Sequence, residues 1–203
     1  MNSRDFNSFK EFLDHIIAQE SLPHIDVFRH VAQNAIEGLV LEFGVAEGLT
    51  VRELNDRFGG SRTIHGFDSF EGLPEDWQPG FPQGSFKCNP PVMPANVTLH
   101  VGLFNDTVPQ FSGDTPGDIA FVHLDADLYS STAYVLEQLE NRLVEGSIVL
   151  FDELASYPGY EEHEYKAFIE HQERTGFHYE FLGCRDIPSH PWRLKEAFSF
   201  KRV

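Results

Sequence analysis

Cysteine is nearly absent from this 203-residue chain, and its two copies, Cys88 and Cys184, stand far apart without a CxxC pair. That spacing offers neither a disulfide framework nor a zinc site, and two free thiols suit a reducing, cytoplasmic setting. Positive charge is also scarce: 15 Lys and Arg face 32 Asp and Glu, leaving a net charge of −17. The resulting field repels phosphate backbones and anionic headgroups, so nucleic acid and membrane surfaces are poor partners. No run approaches the ~18 uninterrupted apolar residues of a membrane span. The opening segment MNSRDFNSFKEFLDHIIAQ scatters charge among its apolar residues and holds no signal-peptide core. Repeats and low-complexity tracts are missing as well.

What is present suits one domain over residues 1–203, with 41% hydrophobic residues and 19 Phe to build a core. Phe6, Phe9, Phe12, Leu13, Ile16 and Ile17 recur at helical spacing, and Phe28, Val31, Ala35 and Ile36 repeat the pattern. These predict two leading helices forming a cap over residues 1–38. From residue 39, short apolar runs alternate with amphipathic stretches, the pattern of βαβ units around a parallel sheet covered on both faces. The runs are 39–44, 63–68, 97–102, 119–125 and 147–153, with helices near 48–58, 103–111, 129–143 and 161–174. Segments 179–183 and 197–203 predict an antiparallel hairpin closing the sheet. Residues 71–96 carry six of the 12 prolines and no helical period, which reads as a lid. The lid and the leading helices are expected to shape an acceptor pocket, and exposed faces of the Phe-rich helices could pair subunits.

The first strand ends in Glu42-Phe43-Gly44-Val45-Ala46-Glu47-Gly48 and runs into a helix. Glycines there allow a ligand to approach the backbone, and a helix N-terminus attracts an anionic group. The GxGxxG pattern that a pyrophosphate requires is missing. Glu47 inside the loop opposes a pyrophosphate and accommodates an amino group. The second strand ends in Asp68, placed to accept hydrogen bonds from ribose hydroxyls. Together these favour S-adenosylmethionine (SAM) over NAD.

The fourth strand ends at Asp125 and the fifth at Asp152-Glu153. On neighbouring parallel strands these three carboxylates converge, and like charges in one crevice are costly without a cation. An all-oxygen set suits Mg²⁺, or another hard divalent cation. The alternative is that they are solvated strand ends or helix caps, a role open to Asp127 and Ser130. His123 is a candidate base or ligand, although its offset from Asp125 favours a residue that orients within the sheet, and Tyr157 and Tyr160 are candidates for the substrate mouth.

The segments LEFGVAEGLTVREL, GFDSFEGLPEDW, LHVGLFNDTVPQF, FVHLDADLYSSTAYVLEQL and GSIVLFDE resemble, in that order, the SAM-dependent O-methyltransferases of the macrocin O-methyltransferase (TylF) type. The resemblance covers residues 39 to about 183. It implies a Rossmann-like class I methyltransferase fold, α/β, with a mostly parallel seven-stranded sheet flanked by helices and two extra N-terminal helices. It implies SAM as methyl donor and Mg²⁺-dependent transfer to a small-molecule hydroxyl, on a sugar or other secondary metabolite. Glu42, Gly44, Glu47 and Gly48 would form the methionine loop, Asp68 the ribose site, Ser69 and Phe70 the nucleoside flank, and Gly102 and Phe104 the adenine wall. Asp125, Asp152 and Glu153 would hold the metal, although the family's last acidic pair is commonly Asp-Asp. Catechol methyltransferases share the carboxylate layout but place a lysine where this chain has Leu128, so either Asp125 doubles as base or His123 serves. A phenol or catechol acceptor and a non-catalytic SAM-binding protein are the alternatives.

Overall fold

The structure, a computed structural model, describes residues 1–19, 21–186 and 196–203. Its seven strands form one sheet in the order β3-β2-β1-β4-β5-β7-β6: β1 (Leu39–Phe43), β2 (Ile64–Asp68), β3 (Val97–Val101), β4 (Ile119–Leu124), β5 (Leu143–Phe151), β6 (Tyr179–Asp186) and β7 (Glu196–Arg202). The first five are parallel, and β7 lies antiparallel between β5 and β6. Strand order reverses between β1 and β4, so a crevice opens beyond their carboxyl ends.

Among the described residues six α-helices cover the two faces: α1 (Phe9–Ile17), α2 (Val27–Asn34), α3 (Leu49–Arg57), α4 (Phe104–Asp114), α5 (Tyr129–Leu139) and α6 (Glu164–Thr175). Helix α1 starts where the Ser8 side chain accepts the Glu11 N–H, and it buries Phe9, Phe12, Leu13 and Ile16. That stripe joins α4, α5 and α6 over Leu41, Phe43, Phe67, Val122, Val149 and Phe151. Alternation sends the other strand residues, Val40, Ile64, Phe121, Ile148 and Leu150, to the opposite face beneath α2 and α3. Asp26 caps α2, which ends at Asn34, so Ala35 and Ile36 lie outside the second helix.

The expected fifth strand begins too late. Helix α5 stops at Leu139, a 3₁₀ turn spans Glu140–Arg142, and β5 already starts at Leu143, opposite Ile119. Arg142 fixes this junction by donating from Nε to the Gly117 carbonyl and from Nη2 to the Thr115 carbonyl. No helix among the described residues is long and apolar enough to cross a membrane.

Candidate active site

A cavity of about 830 Å³ lies beyond the carboxyl ends of β1, β2, β4 and β5. Gly44, Glu47, Asp68, Ser69, Gly102 and Phe104 line it on one side, and Asp125, Asp127, Asp152 and Glu153 on the other. The crevice therefore has two halves.

In the first half, the loop after β1 is held from below. Asp68 Oδ2 accepts the backbone N–H groups of Val45 and Ala46, each at 2.8 Å, while Oδ1 accepts that of Phe70 at 2.7 Å. The carboxylate expected to receive a ribose thus also fastens the glycine loop. Gly44, at φ +90°, lets β1 abut β4: a Cβ there would lie 1.8 Å from the Asp125 carbonyl oxygen. Gly48, at φ +74°, opens α3 and has Met93 packed against it. Met93 belongs to the 71–96 segment, which contributes Gly72, Leu73, Pro74, Phe86, Lys87 and Cys88 to the cavity wall. That segment is anchored beneath by Leu73 and Trp77, which pack with Leu128 and Tyr157.

Four expectations need correction here. Phe70 is buried with Val45, Val51 and Leu54 under α3 and does not line the cavity, because its left-handed backbone (φ +57°) turns the side chain into the core. Glu42 is fully buried behind the loop, on the α2/α3 face of the sheet. The leading helices pack on the sheet faces, and no residue of α1 or α2 lines the cavity; Tyr157 and Tyr160 do not line it either.

In the second half, carboxylates crowd together. Asp125, Asp152 and His123 can bring one ligand atom each within 4.8 Å of one another, and so can Asp125, Asp127 and Glu153. The three predicted metal ligands therefore divide between two sets that share Asp125. Among the described residues no Lys or Arg pairs with Asp125, Asp127 or Asp152, whose charged partner is His123. The two cations on the wall are engaged elsewhere, Lys87 with Glu71 and Arg185 with Glu53. Burial, and then the charge of Asp152, pushes the Asp125 carboxyl well above its ordinary range. Burial and the neighbouring Glu153 do the same to Asp127, and buried Glu164, which accepts the Glu153 N–H, rises to about 8 from burial and the Glu153 charge. This is a hard-oxygen donor set short of positive charge, and Mg²⁺ fits it.

His123 does not reach the cavity. It is fully buried, with Nδ1 3.4 Å from Glu42 Oε2 and Nε2 3.5 Å from Asp152 Oδ1. Burial opposes the imidazolium, but Asp152 and Glu42 on either side hold it protonated, well above its ordinary pKa. It is therefore unsuited to act as a base toward a substrate. Asp127 is the residue that sequence reasoning treated only as a cap. The helix start falls instead at Leu128, which has no side-chain cap, and Asp127 sits at φ +59° with its side chain at the cavity. The LDAD spacing, two carboxylates two apart at a strand end, was the signal available.

A family profile described as a methyltransferase domain matches residues 41–154, more than half of the chain. The chain belongs to this methyltransferase family. Its fold recurs in CalS11, a calicheamicin methyltransferase, at 25% identity and a TM-score of 0.61, over 87% of this chain and 76% of that one. A second structure of that protein, described as a TDP-rhamnose 3'-O-methyltransferase, gives 24% identity and a TM-score of 0.55 over the same shares. The O-methyltransferase NovP matches at 19% identity with a TM-score of 0.65, over 88% of this chain and 78% of its own. An O-methyltransferase from Bacillus cereus in complex with S-adenosylhomocysteine (SAH) matches at 13% identity and 0.54, over 95% and 86%. No curated protein sequence matches the chain. The protein is a methyltransferase with the class I, Rossmann-like fold of SAM-dependent O-methyltransferases.

Proposed function

We propose that this protein is a SAM- and Mg²⁺-dependent O-methyltransferase of the macrocin type, acting on a hydroxyl of a sugar or another secondary metabolite. The observation that carries this is the single cavity that joins a glycine loop fastened by Asp68 to the clustered carboxylates of Asp125, Asp127 and Asp152, with which no Lys or Arg pairs among the described residues. The calicheamicin enzyme, described as acting on TDP-rhamnose, supports a sugar acceptor.

Glu47, Ser69, Gly102 and Phe104 all line the cavity; in this reading Glu47 would meet the amino group of the SAM methionine moiety, Ser69 would flank the ribose, and Gly102 and Phe104 would wall the adenine. Methyl transfer is an in-line displacement: the C–S bond of the sulfonium breaks as the O–CH₃ bond forms, and the acceptor hydroxyl loses its proton. Asp125, Asp152 and Glu153, drawn from both sets, would hold Mg²⁺, which would supply Lewis-acid lowering of the hydroxyl pKa when bound. Asp125 belongs to both carboxylate sets and serves as the shared ligand. In this reading the proton goes to a carboxylate oxygen of Asp127, which lines the cavity and is not spent on capping α5. Residues 71–96 act as the lid that keeps water from the sulfonium.

The test is methyl transfer from isotopically labelled SAM to a panel of sugars and glycosides, with Mg²⁺ or with EDTA. Transfer that EDTA abolishes and Asp127→Asn reduces about 10²-fold or more is expected. Transfer unaffected by EDTA would remove the cation, and an unimpaired Asp127→Asn would remove the base.

A further inference from the structure

The polar groups behind the cavity form a continuous chain. Thr50, in the first turn of α3 and on the cavity wall, donates its hydroxyl to Glu42 Oε1. Glu42 and His123 stand opposite one another in the β1/β4 register, so their side chains leave the same face of the sheet. Glu42 Oε2 faces His123 Nδ1 at 3.4 Å, and His123 Nε2 faces Asp152 Oδ1 at 3.5 Å. Both separations exceed the 2.7–3.2 Å of a good N–H···O bond. Glu42 Oε2 and both imidazole nitrogens are buried without a hydrogen-bond partner. The ring of Phe28 from α2 covers the imidazole edge-on, with centroids 6.0 Å apart, and seals it from water.

We propose that Glu42 and His123 are positioning residues of a strut, Thr50–Glu42–His123–Asp152, through which filling one half of the crevice tightens the other. The inference rests on the methyltransferase reading above. The strut has slack at two joints, and leaving buried polar groups loose is costly. A cofactor settling against the start of α3 draws Thr50 and Glu42 into place, and a cation on Asp152 draws that carboxylate into place. Whichever ligand arrives first takes up the slack, and the second finds its half already ordered. The effect is reciprocal by linkage. A residue that only fills the core would change stability and leave that coupling untouched.

The experiment is calorimetric titration of the intact protein with SAH, with and without Mg²⁺, and with Mg²⁺, with and without SAH. In the wild type each ligand is expected to tighten the other by the same factor, about 5-fold or more. In Glu42→Gln and His123→Gln the factor falls below about 2 while SAH still binds. Thr50→Val makes the same cut at a partly exposed position, so it carries the test should the buried variants fail to fold. A wild-type factor of one, or an undiminished factor in Thr50→Val, overturns the strut. Absence of SAH binding to the wild type is a different result, and it overturns the methyltransferase reading itself.

Discussion

The two halves of the crevice solve the problem of buried carboxylates in opposite ways. At the ends of β1 and β2, Asp68 is answered by three backbone N–H groups, so its charge is stabilised by the loop that it shapes and by the turn after β2. At the ends of β4 and β5, Asp125, Asp127, Asp152 and Glu153 face one another, and the buried His123 is the cation set against Asp152 and Asp125 among the described residues. The first half is complete as the chain folds and needs only a ligand of the right shape. The second gains most from a ligand that brings positive charge.

Substitutions can break this contrast at its boundary. Gly44→Ala places a methyl group against the Asp125 carbonyl oxygen at a left-handed backbone position, so it should cost about 3 kcal/mol or more and impair both halves. Chemical denaturation together with SAH titration checks it; a fully stable variant that binds SAH would mean that the halves do not touch as described. Next in size is the cation effect. With Mg²⁺ at about 100 times its dissociation constant, the wild type should gain about 2.7 kcal/mol, seen as a rise in Tm. Asp125→Asn should lose that rise and keep SAH binding. If the rise persists in Asp125→Asn, the cation binds elsewhere.

A site remote from both halves gives a baseline of similar size. His171 is buried against Tyr179, and burial, followed by the charge of Arg174, lowers its pKa to about 4. The native state stays neutral there while the unfolded chain takes up a proton below about pH 6.5, so stability falls as pH drops from about 6.5 to 4, by about 2–3 kcal/mol. Urea titrations across that range should show a shallower loss in His171→Gln. Returning to the first half, Asp68→Asn puts an amide among three N–H donors and should cost about 1–3 kcal/mol and weaken SAH, with the Mg²⁺ rise intact. Retained SAH affinity in that variant would make the carboxylate dispensable to the loop. The smallest effect belongs to Lys87→Ala, which removes an exposed pair with Glu71 and should change stability by less than about 1 kcal/mol.

Much of this architecture is legible in the residues. The five apolar runs correspond to β1–β5 because each is a short apolar or alternating stretch bounded by turn or helix signals, and the closing hairpin is β6 with β7. Strand-end acids are legible as cavity residues because parallel α/β sheets place ligands there. What stays hidden depends on backbone twist and register. Phe70 and Asp127 turn on left-handed backbone, which a Phe does not signal and an Asp only permits, one into the core and the other into the cavity. The β1/β4 register sets Glu42 beside His123, and neither side chain's spacing in the sequence encodes that meeting. Cover by α2 and Phe28 removes His123 from solvent, and that is a property of packing.

The most direct measurement of the central claim, a nucleoside half beside a cation half, is calorimetric titration of the wild type with SAH in Mg²⁺ buffer. A dissociation constant of about 10 μM or tighter, with one site per chain, is the predicted result. No detectable heat of binding would contradict it and leave the carboxylates to be explained by some other metal chemistry.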